Sequence, residues 1–476
     1  MSKQKLDASA CADLKAMPVQ HTKAAGIDVG DATHWVCIDA DGGDDAIREF
    51  PAHTAGLRQI VAWLRESGIT TVALEASGVY GHVLFLTLLE AEFHTVTTAP
   101  TFTRQIKGRP KTDRRDCQWI QRLHRHGLLP SIFQPDEATQ TLRDLVRQRA
   151  NHVRLSGQHI QRMQKALELM NLKLTKVLGD VTGVTGLKII RAIVAGQRDP
   201  LELAKLRDRR CQHSALEIAT ALDGRYRLEH LTELKLNLTV WEHYQIVIAE
   251  LDSVIDKQLQ ALKRQTELPQ LPPKTRKRGR KPHDPHFDVR TALYLMVGID
   301  LTDIEGIDEI HALTLVSELG TDFTKWPTVK HFTSWLGLCP NWKKTGGKVQ
   351  SSKTRKGKNR AATALRLAAW SLMRGHSYLS AYLRRQRARL GAPKAITATA
   401  HKLARILYNL MRHGVVYMRK QEDDYAQQVR DRLEKQLKRR ARELGYVLNK
   451  IGNETLTLPD GEVVTVDHHG EIIIAH

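Results

Sequence analysis

The sequence predicts an α/β N-terminal domain, then an all-α body made of long helical arms and a mainly helical C-terminal domain. Three observations carry this expectation. Between residues 25 and 100, short β-rich apolar runs alternate with segments of helical spacing. From about 137 to 178, and again from 231 to 262, apolar residues recur in steps of three and four. Between residues 291 and 415, helical spacing is interrupted by glycine turns and one densely basic loop.

In chain order, residues 1–21 read as a mobile leader, and a domain spans 22–132. AGIDVGDATHWVCIDADG is an apolar strand that ends on Asp28 and turns back through glycine into a second strand. AIREFPA is a third strand, followed by a helix over about 54–67. TTVALEAS is a strand ending on Glu75; a helix over about 79–91 and the strand TVTTAP follow. A basic helix then carries TDRRD, where Asp113 and Asp116 stand three apart and so share a face. A meander followed by alternating helices and strands gives a sheet with helices on both faces, the order of a ribonuclease-H-like fold.

Residues 133–263 form the arms. Val146, Arg149, Val153, Ser156, Ile160, Met163, Leu167, Met170, Leu174 and Val177 keep a heptad spacing. Leu231, Leu234, Leu238, Trp241, Gln245, Ile248, Asp252, Ile255, Leu259 and Leu262 repeat it. Two arms of similar length predict an antiparallel coiled-coil hairpin with a small helical cap at its tip; the alternative is the core of a compact bundle. In the cap, two threonine-glycine steps in GDVTGVTGLKII start a helix, their glycines either punctuating a loop or cradling phosphate. Residues 264–290 read as a basic, proline-rich linker whose KRGRKP is similar to an AT-hook.

The C-terminal domain spans 291–415. Its DIEGIDEIHALTLVSELG resembles a helix-hairpin-helix, with Asp308 where the second glycine usually stands. A glycine turn and basic loop follow, in which Lys343, Lys344, Lys348, Lys353, Arg355, Lys356, Lys358 and Arg360 are expected to contact nucleic-acid phosphates. Residues 416–476 read as a charged helix over 416–445, then a β-hairpin around PDG or a short sheet.

The 476 residues carry 73 basic and 52 acidic side chains, a net charge of +21, which calls for a polyanionic partner. No apolar run reaches the length of a membrane span, and the first twenty residues lack the apolar core of a signal peptide. The expected partner is therefore nucleic acid rather than a membrane. Five dispersed cysteines with no CxxC spacing give neither a ribbon-type zinc site nor a disulfide framework, which fits a reducing cytoplasm. His124 and His126, like His283 and His286, read as solvated surface histidines.

Asp28 and Glu75 at strand ends, with Asp113 and Asp116 from a helix, make an all-oxygen set suited to magnesium and to phosphodiester chemistry. Singly, each has a plainer reading. GIDVG also opens the phosphate-binding hairpin of sugar-kinase and actin-like ATPases, Glu75 fits a strand-end surface acid, and the TDRRD pair fits salt bridges to Arg114 and Arg115.

With GIDVG, ALEASGVY and KTDRRD in this order, the chain resembles the DEDD-type transposases of insertion sequences, whose first domain is similar to the RuvC junction resolvase. The resemblance implies that Asp28, Glu75, Asp113 and Asp116 bind Mg2+ and that donor and target DNA are the substrates. It further implies composite sites in a homodimer or homotetramer, and a bridge RNA as guide. The family's catalytic serine follows GL-x-P, and alignment through Gly337, Leu338, Pro340 and Gly346-Gly347 puts Thr345 at that position. Threonine keeps the hydroxyl, although its β-methyl crowds the attack and stiffens χ1. Attack by Thr345, attack by Ser351 or Ser352, and loss of strand transfer stay open. The alternatives for the whole chain are a RuvC-like metal-dependent junction nuclease and a catalytically inactive nucleic-acid-binding derivative.

Overall fold

The computed structural model describes residues 17–76, 78–103, 112–262, 271, 283–355, 357, 359–375, 377–445, 454–457, 463–466 and 472–473. It divides into two units, 1–134 and 135–476.

The first unit is built on a five-stranded sheet of order β3-β2-β1-β4-β5. Strands β1 (Ala24–Val29), β2 (Thr33–Cys37) and β3 (Ile47–Pro51) form the antiparallel meander. β4 (Thr71–Glu75) and β5 (His94–Thr98) then add in parallel beside β1. One face buries Ile27, Val29, Val72 and Leu74 against α1 (Thr54–Glu66) and α2 (Tyr80–Glu90), whose Ile60, Trp63, Leu84 and Leu88 close the larger core. After β5, the short α3 (Pro100–Thr103) and then α4 (Asp113–Arg125) follow. The apolar side of α4, Trp119, Ile120 and Leu123, packs with Ala73 and Val96 of the sheet. This layering and strand order are consistent with a ribonuclease-H-like domain, as the periodicities predict.

Two expectations need correction here. Residues 18–21 are docked on the domain: the Gln20 and His21 amides donate to the Arg125 carbonyl at 2.9 and 3.0 Å, and His126 Nδ1 lies 3.2 Å from the Pro18 carbonyl. Residues 1–16 of the expected leader lie outside the described residues. His124 is not a surface histidine. It is 2% exposed, with Nε2 2.8 Å from the Thr71 hydroxyl and its ring stacked 4.8 Å from that of His21. Helical spacing turns it inward, a direction that its polar character hid.

In the second unit, α5 (Glu137–Leu169) ends earlier than the heptad reading allows, because Asn171 adopts φ of 58° and turns the chain. The segment expected to continue the heptad becomes a separate turn, α6 (Leu174–Val177). α7 (Val184–Val194), α8 (Pro200–Lys205) and α9 (Ala215–Ala221) complete the helical cap. α10 (Leu228–Ala261) returns antiparallel along α5. The polar heptad positions face each other: Gln245 donates to Ser156 at 3.0 Å, and buried Arg149 pairs with buried Asp252. The same ion pair ties down the chain after the linker, since Arg149 donates to the His283 carbonyl and the His286 amide donates to Asp252. His283 is thus half-buried rather than solvated, while His286 is exposed. The cap has its own core, including Met163, Leu167, Ile189, Ile193 and Trp241. Its Gly186 lies against the Val181 backbone, where a Cβ would come within 2.2 Å of the carbonyl oxygen. A cleft of about 620 Å³ beside this turn is lined by Lys176, Asp180, Asp208 and Arg210, a mixed charge unlike a phosphate cradle.

Helices α11 (Val289–Val297), α12 (Glu309–Leu319) and α13 (Val329–Trp335) precede an exposed hairpin of β6 (Lys343–Thr345) and β7 (Lys348–Ser351). α14 (Arg360–Ser371), α15 (Tyr378–Leu390) and α16 (Ala392–Glu443) follow, the last broken at Gly414 where φ is 80° and ψ 177°. Phe323, Trp326, Phe332 and Tyr408 form an aromatic nest, closed by the Tyr408 hydroxyl on the Trp326 carbonyl at 2.8 Å. Asp308 caps α12 by accepting from the His311 amide. The glycine turn of the expected helix-hairpin-helix faces the protein: a Cβ on Gly306 would lie 2.5 Å from the Ala368 carbonyl oxygen of α14. Strands β8 (Glu454–Thr457), β9 (Val463–Val466) and β10 (Ile472–Ile473) form an antiparallel sheet, the short-sheet alternative for the tail. Among the described residues no helix is long and apolar enough to cross a membrane. The AT-hook-like KRGRKP lies outside the described residues.

The His124 site makes a pH prediction. Burial, reinforced by the neighbouring charges of His21 and His94, pushes its pKa down to about 4 from an ordinary 6.5. Between those values the unfolded chain binds the extra proton, so stability rises with pH. The contribution is complete above pH 6.5 and is lost as pH falls toward 4, with a slope approaching about 1.4 kcal/mol per pH unit. Urea denaturation between pH 4.5 and 7.5 should show this slope for the native chain and a flatter profile for His124→Gln.

Candidate catalytic centre and nucleic-acid interface

The geometry of the first unit follows from a glycine. A Cβ on Gly26 of β1 would stand 2.2 Å from the Gln121 amide nitrogen and 2.6 Å from the Cys117 carbonyl oxygen, so the α4 backbone lies directly on this strand. Gln121 reinforces the seat by donating to the Ala24 carbonyl at 3.2 Å and to the Ile38 carbonyl at 3.3 Å. Because Ala24 meets residue 121 and Gly26 meets residues 117 and 121, α4 runs antiparallel to β1. Its first turn therefore stands at the carboxyl end of that strand.

Period-two alternation puts Asp28 on the same face as Gly26, and Glu75 on the same face as Ala73, which packs on α4. Both acids lie one residue beyond the last rung that pairs β1 with β4, Ile27 with Leu74. The Asp28 charge reaches the Cys117 thiol in the first turns of α4. That thiol has its pKa raised, chiefly by its hydrogen bond with Cys37 and then by burial, with Asp28 adding a smaller push. Asp28, Glu75 and Asp116 are half-buried, and Asp113 is exposed at the first position of α4. Thr112 caps that helix by accepting from the Arg115 amide at 3.3 Å. Acidic side chains in a first helical turn are favoured by the amide dipoles there. Arg114 pairs with Asp44, so the alternative of a TDRRD-internal pairing is not what holds this arginine.

Two neighbours carried no signal in the sequence. The Thr103 hydroxyl donates to Glu75 Oε2 at 2.5 Å, and Trp119 Nε1 donates to the Thr103 carbonyl at 3.1 Å, which fastens α3 to α4 beside that acid. A lone threonine after a strand is unremarkable until the chain folds back on it.

No three His, Cys, Asp or Glu side chains among the described residues form a group able to hold a metal ion. The donor set still has the chemistry of a hard divalent cation site: four carboxylates, three of them half-buried at one edge of the sheet.

In the second unit, Thr345 ends β6 and pairs with Lys348 across the turn Gly346-Gly347. Both glycines have positive φ, 56° and 75°, as a two-residue hairpin turn requires. Thr345, Lys343, Lys344 and Lys348 are exposed, as are Ser352, Lys353, Arg355 and Arg360. Ser351 pairs with Lys343 at the far end of the hairpin, and its hydroxyl accepts from the Lys353 amide at 3.2 Å. Arg355 donates to the Ser334 and Trp335 carbonyls at the end of α13, anchoring the loop. Lys356 and Lys358 lie outside the described residues.

A sheet of this order, with acids along its carboxyl edge, is the frame of the ribonuclease-H-like nucleases and transposases. Residues 25–172 match the DEDD_Tnp_IS110 transposase model, and residues 300–384 match that of the transposase IS116/IS110/IS902 family. Both matched segments are thus similar to DEDD-type transposases of insertion sequences. The chain is 28% identical over 142 residues to "Putative transposase y4qE" of Sinorhizobium fredii, covering 29% of this chain and 36% of that protein. It is 32% identical over 122 residues to the "Insertion element IS110 uncharacterized 43.6 kDa protein" of Streptomyces coelicolor, covering 25% of this chain and 29% of that one. The matched stretches thus span about a third of each relative.

The Gly26 contact makes the next prediction. Gly26→Ala should displace α4 and cost at least about 1–3 kcal/mol, as overpacking does, because the obstructing atoms are backbone and cannot rotate away. Chemical denaturation measures the loss, and a stability equal to wild type would show that α4 can move at no cost.

Proposed function

We propose that the protein is a DNA transposase that cuts and rejoins strands using the four acids of its first unit and a hydroxyl of its second. The observation that carries this reading is the seating of α4 on Gly26, which brings an acidic helix start to the strand ends of Asp28 and Glu75. Asp28, Glu75, Asp113 and Asp116 would hold Mg2+. Such an ion supplies charge neutralisation at the reacting phosphate. Thr103 orients Glu75 through its hydroxyl, and the amides opening α4 favour negative charge at the same edge.

The Thr345 hydroxyl is the nucleophile in this reading. Its oxygen bonds to phosphorus, one phosphodiester P–O bond breaks, and the released oxygen becomes the free hydroxyl of the other DNA end. The threonine proton passes to solvent or a nearby base. The phosphothreonine link conserves the ester for rejoining when a strand hydroxyl attacks in turn. The hairpin tip suits such contact, being exposed and flanked by lysines that offset the charge developing on phosphorus. Lys343, Lys344, Lys348, Lys353, Lys356, Lys358, Arg355 and Arg360 would grip phosphates without reading bases. The paired helices α5 and α10 fit a supercoiled arm for subunit contact or RNA binding, with a bridge RNA as guide. Assembly as a homodimer or homotetramer in the cytoplasm completes the reading.

Two measurements test it. Asp28→Asn and Glu75→Gln should each lower magnesium-dependent DNA cleavage at least about 10³-fold while the protein stays folded; full activity in either would remove the metal assignment. Thr345→Ala should abolish the covalent protein–DNA adduct, whereas Thr345→Ser should match or exceed wild type because it sheds the β-methyl and keeps the hydroxyl. An adduct that survives Thr345→Ala and is lost in Ser351→Ala would move the nucleophile to the other end of the hairpin.

A further inference from the structure

The positive charge of this chain is concentrated in one place. Between Asp322 and Glu422 lie 99 residues with 22 lysines and arginines and no aspartate or glutamate. The rest of the chain has 51 basic and 52 acidic residues, so the entire surplus of +21 comes from this stretch. The basic hairpin accounts for only part of it.

A second concentration is α15, whose Arg384, Arg385, Arg387 and Arg389 are all exposed. None of the four makes an ion pair among the described residues. Arg384 donates to the Gly375 carbonyl, Arg389 to Gln386, and Arg385 lies 5.8 Å from the Tyr382 ring centre. The opposite side of the helix is fixed, with Leu379, Ser380 and Leu383 buried. Lys402 of α16 lies 4.3 Å from the Tyr378 ring and 4.8 Å from the Tyr382 ring, so a cation already engages each aromatic ring of α15. With no ion pair to these arginines among the described residues, their mutual repulsion is what a bound polyanion would relieve.

We infer that the outward arginines of α15 form a second phosphate-binding track, separate from the hairpin, that takes the backbone of duplex DNA. Binding of unpaired strands relies on aromatic faces open to stack on bases. Here Lys402 lies beside both tyrosine rings, although Tyr378 is 37% exposed, and the charged groups presented along the helix are guanidinium groups, which suits a duplex whose bases are stacked inside and whose phosphates are accessible. The track is independent of sequence and adds grip outside the reacting phosphate. This inference rests on the reading of DNA as substrate.

The test is equilibrium binding of the full-length protein to duplexes of unrelated sequence, titrated with salt in the absence of divalent metal. Replacing Arg385 and Arg387 together by Gln should lower the log–log salt slope by about two for every sequence. Equivalently, the affinity lost between 50 and 200 mM salt should be about tenfold smaller than in wild type. Arg385→Lys with Arg387→Lys should keep the slope, and Arg58→Gln with Arg65→Gln on α1, both exposed, should leave it unchanged. An unchanged slope in the Gln variant, an equal loss in the α1 control, or a loss confined to duplex RNA would overturn the inference. Because the assay involves no cleavage, its outcome is separate from that of Asp28→Asn. Cleavage lost in Asp28→Asn together with an unaltered slope in the arginine variant would sink the track and leave the transposase reading standing.

Discussion

The contact on which the first unit depends is the bare approach of the α4 backbone to Gly26. No side chain separates the helix from the strand there, and the Gln121 amide and Cys117 carbonyl oxygen fill the space a Cβ would take. That closeness sets the height of the helix over the sheet, and the antiparallel crossing sets which end of it meets the strand termini. The acids at those termini gain their common edge from this seating. Gln121 belongs to the same device, since its buried amide satisfies backbone groups of both β1 and the loop after β2.

The second unit relies on ionic ties in otherwise apolar seams. Arg149 and Asp252 meet in the interior of the α5–α10 pair, and each also binds the backbone of residues 283–286. Arg143 and Arg147 hold Glu318 and the carbonyl at the end of α12, fixing the start of α5 to the C-terminal helices. Buried pairs of this kind seldom add much net stability, because desolvation offsets the attraction. They do penalise every misaligned register, since a shift would bury one charge alone. The polar heptad positions are therefore an alignment device for two long helices that apolar contacts alone would let slide.

Charge is segregated along the chain in a way that matches this division of labour. The first unit and the arms are nearly balanced, with arginines such as Arg122 and Arg191 paired to acids, whereas residues 323–421, which include the hairpin, α14 and α15, contain cations and no carboxylate side chain. A net figure of +21 suggests a diffuse attraction for polyanions. Twelve of the 22 cations between residues 323 and 421 lie on the hairpin loop and α15, so the charge is grouped rather than spread.

The sequence by itself determined the order of strands and helices, because period-two and helical spacing record which side of each element meets the core. It also placed Asp28 and Glu75 at strand ends and Asp113 and Asp116 at a helix start, and it placed the glycine turn beside Thr345. The tertiary structure alone decided what depends on contacts distant in the chain. Thr103 becomes the partner of Glu75 only because Trp119 pulls α3 onto α4. His124 becomes a buried, neutral group only because Thr71 and His21 close over it. Gly306, in the turn that resembles a helix-hairpin-helix, becomes a packing glycine only because α14 lies against it. Local patterns state which residues need burial; which partner buries them is settled by the approach of elements tens of residues apart.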